Sequence, residues 1–431
     1  MKNNHYLKTF LKGKNLSNLF KKQNIRWLLL FVFSDTVATM PQFLCQGWLV
    51  LELTDSPFWV GIVYGIEGLV LLFCGGWVGV LSSRVDKKTT LTATQILLSI
   101  PALLTALLIY LNELKLWHLF ILSLGSGFGH CINMNIAISL FNESVGKKQL
   151  MSGTSLRSLV FNLGNIIGST LIGLSIKNFG IGVSYALLCV PRILSVIAIQ
   201  KTHKKHRYNL KLKKRLKLRF SLLIQSFKQY TKKDWPALIH ALFYGMKITR
   251  VRILLLISVA MEFFVFSSLA MLPVVARDVL KVDASALGLL SAAVSAGSLI
   301  AGIVVANSVS LPPKGTLITL VSSAAGIALI LFSQSNWFAV SLLLATTLGA
   351  AMLIYDSTLF TLIQVTVPNS LRERTLGLLI QTFGFNSIGS ILTGTTALFL
   401  GAPLALTISG VAIGTFSLTL IKSKRKIWNT L

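Results

Sequence analysis

Acidic residues are scarce in this chain. Its 431 residues include 13 Asp and Glu against 41 Lys and Arg, a formal net charge of +28 at pH 7. Cysteine is scarcer still. Cys45, Cys74, Cys131 and Cys189 all stand inside apolar runs, which argues against a disulfide framework or a thiolate metal site. No G-x-x-x-x-G-K-[ST] loop occurs, so the chain is not expected to carry its own nucleotide-driven motor. No Ser/His/Asp or metal-ligand constellation stands out, and neither enzymatic chemistry nor a bound cofactor or metal is expected. A cleavable signal peptide is not expected either, because the first apolar run continues into a full-length span.

Apolar sequence is abundant. Hydrophobic residues make up 53% of the chain and charged residues 13%, with a mean hydropathy of +0.72. One soluble core cannot hide that much apolar surface. Runs of about 20 residues, long enough at 1.5 Å per residue to cross a bilayer, recur along the sequence. The pattern predicts an all-α polytopic membrane protein with twelve spans near 27–50, 59–82, 91–111, 117–140, 154–176, 180–200, 251–273, 286–306, 315–333, 337–363, 375–398 and 402–421.

The excess positive charge follows this pattern. Residues 1–26, Arg84 to Lys88, Lys147 and Lys148, residues 201–250, Lys314, Arg372 with Arg374, and residues 422–431 form one set of connections. The other set is short and nearly balanced in charge: "ELTDSP", "NELK", "IKNFG", "ARDVLKVDAS", "SQSN" and "LGA". Strict alternation of the two sets places both termini and the 201–250 linker on the cytoplasmic side. The charge therefore reads as membrane topology beside an anionic leaflet, and nucleic acid is not expected as a partner. The linker carries fifteen Lys and Arg and one acid, Asp234, and its "ALIHALFYGMKI" is amphipathic enough to lie along the membrane surface.

The linker divides six spans (27–200) from six (251–421), and the halves echo each other. "NIIGSTLIG" (Asn165 to Gly173) and "NSIGSILTG" (Asn386 to Gly394) share N-x-I-G-S-x-L-x-G at an offset of 221 residues. Gly61 against Gly288 and Gly75 against Gly302 repeat at 227. An even number of spans per half implies two parallel bundles related by an axis normal to the membrane. Asn165, Gly168, Gly173, Asn386, Gly389 and Gly394 form small-residue surfaces suited to close helix packing.

Four of the thirteen acids fall within spans: Asp35, Glu67, Glu262 and Asp356. A carboxylate at that depth needs a partner, a wet cavity or a proton. Gln42 and Gln46 follow Asp35 at +7 and +11, one helical face, which suggests that the first span lines a cavity. His130 and Asn133 in the fourth span and Tyr355 beside Asp356 complete a candidate substrate and proton pathway. A histidine can serve as a proton switch, though a lone buried one is more often a packing residue. Arg157 lies early in the fifth span, and Arg192, after Pro191, is expected at the periphery of its bundle.

"WLVLELTDSPFWVGIVYGIEGLVLLFCGGWVGVLSSRVDKK", "FFVFSSLAMLPVVARDVLKVDASALGLLSAAVSAGSLIAG" and "VPNSLRERTLGLLIQTFGFNSIGSILTG" resemble the major facilitator superfamily. The likeness is to the branch of enterobactin exporters and macrolide-efflux proteins. It implies a gating loop, G-x-x-x-D-R-x-x-R/K-R/K, after the second span. Gly79, Arg84, Lys87 and Lys88 match, but Ser83 holds the acid position, with Asp86 three residues on as the nearest replacement. Arg372 and Arg374 match the corresponding P-x-x-x-R-x-R. The resemblance implies a monomeric secondary transporter in a bacterial cytoplasmic membrane, exporting a siderophore or macrolide-like compound against inward proton movement. Siderophore uptake or lysolipid movement by the same fold, and a transporter-derived sensor or scaffold, are the alternatives.

Overall fold

The computed structural model describes residues 21–82, 85–146, 149–202, 248–307, 314–367, 378–379 and 381–428. The basic linker core and the gating-loop positions Ser83, Arg84, Arg372 and Arg374 lie outside the described residues. The described residues form helices and contain no strand. In chain order they are α1 (Gln23–Thr54), α2 (Pro57–Ser82), α3 (Lys87–Tyr110), α4 (Leu116–Val145), α5 (Leu150–Leu187) and α6 (Cys189–Lys201). The second half holds α7 (Thr249–Phe264), α8 (Ala284–Asn307), α9 (Lys314–Gln334), α10 (Phe338–Thr366), α11 (Phe385–Leu400) and α12 (Ala402–Trp428).

Helix α5 is not one rod. Gly180 adopts φ 81° and ψ 167° inside it, a conformation open to glycine and costly for other residues. Ser175 and Ser184, nine residues apart, bring their hydroxyls to 2.8 Å. A straight helix would separate them by roughly 13 Å. The chain therefore reverses at Gly180, and residues 181–187 run on into α6 as the sixth crossing. Ten helical stretches of the described residues are long and apolar enough to cross a membrane, the 50-residue Ser152–Lys201 among them, and α11 is a shorter apolar helix.

The seventh span departs from a regular helix. After α7 the chain passes through a 3₁₀ stretch, Phe266–Met271, one α turn, Leu272–Val274, and a π turn, Val275–Val279. Two causes are local. The Ser267 and Ser268 hydroxyls donate back to the Phe263 and Val265 carbonyls (2.5 and 2.6 Å), competing with the helical ladder. Pro273 has no N–H to continue it. Helix α12 also runs past the expected span end at 421, carrying Lys422 to Lys426 as its last turns.

The two six-helix bundles meet along two seams, α5 against α8 and α2 against α11. At the first, a Cβ on Gly288 would collide with the Ser169 carbonyl and the Gly173 Cα. At the second, a Cβ on Gly61 would meet the Ser390 carbonyl and the Gly394 Cα. Ser169 and Gly173 belong to one copy of the repeated motif, Ser390 and Gly394 to the other. Each copy packs on the glycine of the opposite half, which is what a pseudo-twofold repeat requires. Helices α3, α6, α9 and α12 stand outermost with aliphatic faces uncovered, Leu103, Ile193, Ile327 and Ile408 among them. Such faces suit a lipid surround.

Below, the side of the protein bearing the termini and the α2–α3 connection is called the basic side, and the side bearing the α1–α2 and α7–α8 connections the neutral side. Residues 44–51 of α1 and 270–276 after α7 are buried on every face. Toward the basic side both helices become partly exposed, at Leu30, Phe33 and Val37 and at Arg252, Val259 and Phe263. The space between the halves is thus shut at the neutral side.

Candidate transport pathway

Helix α1 carries its polar stripe into the first bundle. Asp35 accepts hydrogen bonds from Gln95 Nε2 of α3 (2.6 Å) and Asn133 Nδ2 of α4 (2.9 Å), and Gln95 also donates to Asn133 Oδ1 (3.3 Å). Gln42 donates to Ser126 (3.2 Å) and Gln46 to Ser123, both on α4. Gln42 and Gln46 are buried, and with Ser123, Ser126 and Tyr185 they line a small cavity inside the first bundle, against α4.

Arg192 corrects an expectation from the sequence. It is not peripheral: its exposure is 0%. Its guanidinium donates to Gln42 Oε1 at 2.5 Å and to Gln95 Oε1 at 3.4 Å. Asp35 is the largest electrostatic neighbour acting on Arg192, and it acts on Arg157 as well. Asp35, Gln95, Asn133, Gln42 and Arg192 therefore form one network across α1, α3, α4 and α6. In it a half-buried carboxylate and a buried guanidinium compensate each other through amides, an arrangement a low-dielectric interior favours over two isolated charges.

Glu67 of α2 meets His130 of α4, Oε2 to Nδ1 at 3.3 Å. Phe43 of α1 lies beside them, its ring 5.4 Å from that of His130 and 5.9 Å from that of Tyr64, nearly parallel to the latter at 22°. Glu67 follows the glycine face, Gly61, Gly65 and Gly68, that packs on α11.

The second half places its acids differently. Glu262 of α7 is buried, and Asp356 of α10 stands within Coulombic reach of it. Neither forms a salt bridge among the described residues. Tyr355 is 1% exposed, and its hydroxyl lies close to Ser258. Ser258 and Thr382 share a hydrogen bond nearby (2.6 Å). The sequence paired Tyr355 with Asp356; the fold brings Glu262 near them.

At the neutral side two ion pairs cross between the halves. Arg277 Nη1 binds Asp55 Oδ1 and the Leu51 carbonyl, each at 2.8 Å. Lys177 binds Asp283 at 2.8 Å. Asn165 donates to Ser295 (2.5 Å) and Ser169 meets Ser291 (3.2 Å) along the α5–α8 seam. Gly168 packs on Pro41 and Val37 of α1, and Gly389 on Phe263 and Ser267. Asn386 accepts from Ser390 within its own helix (3.1 Å).

At the basic side, Gly79 lies within α2 and Asp86 precedes α3, where its carboxylate accepts the Thr89 hydroxyl. Lys87 binds Glu143 and Ser139 of α4, and Lys88 donates to the Gln200 and Thr202 carbonyls at the end of α6. All these described contacts stay within the first half. Gln95 is the residue that sequence reading missed. Its signal was an amide within the first turns of an apolar span.

A family model described as "Transmembrane secretion effector" matches residues 17–430. No curated protein matches the sequence. Among solved structures, nucleoside transporter NupG superposes with a TM-score of 0.67 at 15% identity, covering 94% of this chain and 99% of its own. A D-xylose-proton symporter gives 0.66 at 14% identity over 93% of this chain and 97% of its own. A POT family transporter in complex with 5-aminolevulinic acid gives 0.68 at 11% identity over 93% and 96%. At such identities the likeness is one of fold. The two bundles, their paired seams and these comparisons define a multi-pass membrane transporter with the major facilitator fold. The chain belongs to the transmembrane secretion effector family of that superfamily.

Proposed function

We propose that the protein is a proton-coupled exporter of a small amphipathic metabolite or drug, of siderophore or macrolide-like kind, working by alternating access. The basic side is then cytoplasmic, as its Lys and Arg excess favours, in a bacterial inner membrane. The observation that carries the coupling is buried Glu262 with Asp356 within Coulombic reach and no salt bridge to either among the described residues. Two acids with no counter-ion among the described residues are, at this depth, a place for a proton. Asp35, compensated by Arg192, then holds the first bundle's charge balance and is a second candidate carrier. Protonation from outside, release inside and substrate movement the other way complete the cycle. The gating loop, through Lys87, Lys88 and Asp86, tunes the cytoplasmic opening.

The test is mass spectrometry of culture medium from strains with the protein, without it, and with Glu262→Gln or Asp356→Asn, under iron-replete and iron-starved conditions. A compound absent from the medium of the deletion strain and of both variants is expected. Undiminished export with both acids neutralised would sink the coupling mechanism. Accumulation outside the deletion strain would reverse the direction.

A further inference from the structure

Glu67 has a single hydrogen-bond partner among the described residues, His130, although its side chain is 5% exposed. Its other oxygen, Oε1, is buried and has no partner among them, and the same is true of His130 Nε2. Buried polar atoms left this way are uncommon and ask for an explanation. The surroundings are aromatic. Phe43 and Tyr64 stack beside the carboxylate, and the Tyr64 hydroxyl is already engaged by the Phe43 carbonyl (2.7 Å), so Tyr64 offers its ring face and not a donor.

The charged and titratable groups around Glu67 can be named helix by helix. Tyr64 lies on its own helix, Cys45 on α1, His130 on α4, and Tyr185 and Arg192 on the sixth crossing. Arg192, within Coulombic reach, donates to Gln42 and Gln95, and its Nε has no partner among the described residues. From α11 the packed neighbours are Ser387 and Ile391, which carry no charge. The site therefore has one acid, stacked rings, an open acceptor and, among the described residues, no cation bonded to Glu67 beyond the histidine. Its edge is the His130 ring, whose side chain is 15% exposed.

We propose that Glu67, Phe43, Tyr64 and His130 form a binding site for a lipophilic organic cation, with Glu67 Oε1 accepting from the cationic head and the two rings holding its apolar body. An acid with an unmet acceptor favours N–H donors bearing positive charge, and aromatic faces attract the same charge. A catecholate or other anion meets repulsion here. The proposal deepens the exporter reading and rests on it only for the existence of a transported solute. It favours amine-bearing, macrolide-like compounds over anionic siderophores.

The test is equilibrium binding to the purified full-length protein in detergent, with no gradient present. Ethidium, a permanent aromatic cation carrying amino groups, is the probe, and 2,3-dihydroxybenzoate is the anionic comparison. Ethidium should bind and dihydroxybenzoate should not. Glu67→Gln should weaken ethidium binding at least tenfold, the equivalent of about 1.4 kcal/mol. Equal binding to both proteins, or binding of the anion alone, overturns the proposal. A second measurement uses the unaltered protein, in case the variant does not fold. Dicyclohexylcarbodiimide modification of Glu67, located by mass spectrometry, should slow severalfold with ethidium present; an unchanged rate overturns the proposal. Because no gradient enters, an intact ethidium site in a protein showing no proton-driven flux would sink the coupling mechanism alone.

Discussion

Replacing Arg192 by leucine isolates the interaction that organises the first bundle. The substitution removes a fully buried guanidinium and leaves the Gln42 and Gln95 carbonyl oxygens without their donor. A hydrogen bond from a charged group is worth about 1.5–3 kcal/mol, and the 2.5 Å bond to Gln42 belongs in that class. The 3.4 Å bond to Gln95 is at the long end and adds little. Breaking a buried ion pair outright costs about 3–5 kcal/mol. Asp35 keeps two amide donors, from Gln95 and Asn133, so its share is smaller. The expected loss for Arg192→Leu is about 3 kcal/mol.

The informative measurement is a double-mutant cycle with Asp35→Asn, read by denaturant unfolding of the protein in micelles. Asp35→Asn removes the charge that Arg192 compensates, so part of the leucine penalty should vanish in the double variant. A coupling of about 1–2 kcal/mol is expected, within the range for residues of one network. Arg192→Lys should fall between, because one ammonium cannot serve both amides with a planar fork. If the two single effects add, with Asp35→Asn as damaging in the leucine background as in the native one, the network does not couple Asp35 to Arg192. If Arg192→Leu changes stability by less than about 0.5 kcal/mol, the value typical of surface sites, the residue is peripheral after all.

Two further predictions concern the closed neutral side. Gly288→Val should wedge α5 from α8 against the Ser169 carbonyl and Gly173, and Gly61→Val should do the same at the symmetric seam. Each should abolish transport while leaving the protein monodisperse, and normal transport by either would show that the seams do not need this closeness. The Lys177–Asp283 pair should resist mild acid. Lys177, with help from the Ser285 hydroxyl, lowers the Asp283 carboxyl to about 2, against about 3.9 for a free aspartate. A lowered value contributes stability above about pH 4 that fades as the pH falls toward 2. Both partners are about half exposed, so the contribution is under about 1 kcal/mol. Thiol labelling of Ser291→Cys on the seam should be flat from pH 5 to 8; a rise near pH 6 would assign the closure to another group.

The second prediction's symmetry also shows what kind of information the sequence held. N-x-I-G-S-x-L-x-G at two places and glycines at one offset were visible in one dimension, because close helix packing demands small residues at fixed spacing. The fold then made Gly288 meet Ser169 and Gly173 while Gly61 met Ser390 and Gly394, an equivalence no alignment of the halves was needed to suspect. Polar residues obey no such period. Gln95 and Arg192 lie 97 positions apart, and nothing along the chain says they touch. Arg192 reads as peripheral along the chain, but side chains of α1 and α3 meet it inside the bundle. The α1 stripe was legible as a stripe, but what it faces depends on where α4 and α6 stand. Small-residue seams are written locally, and charge compensation is written only in the assembled bundle. That is why substitution cycles across helices, and not along them, are the measurements that read this transporter's charge network.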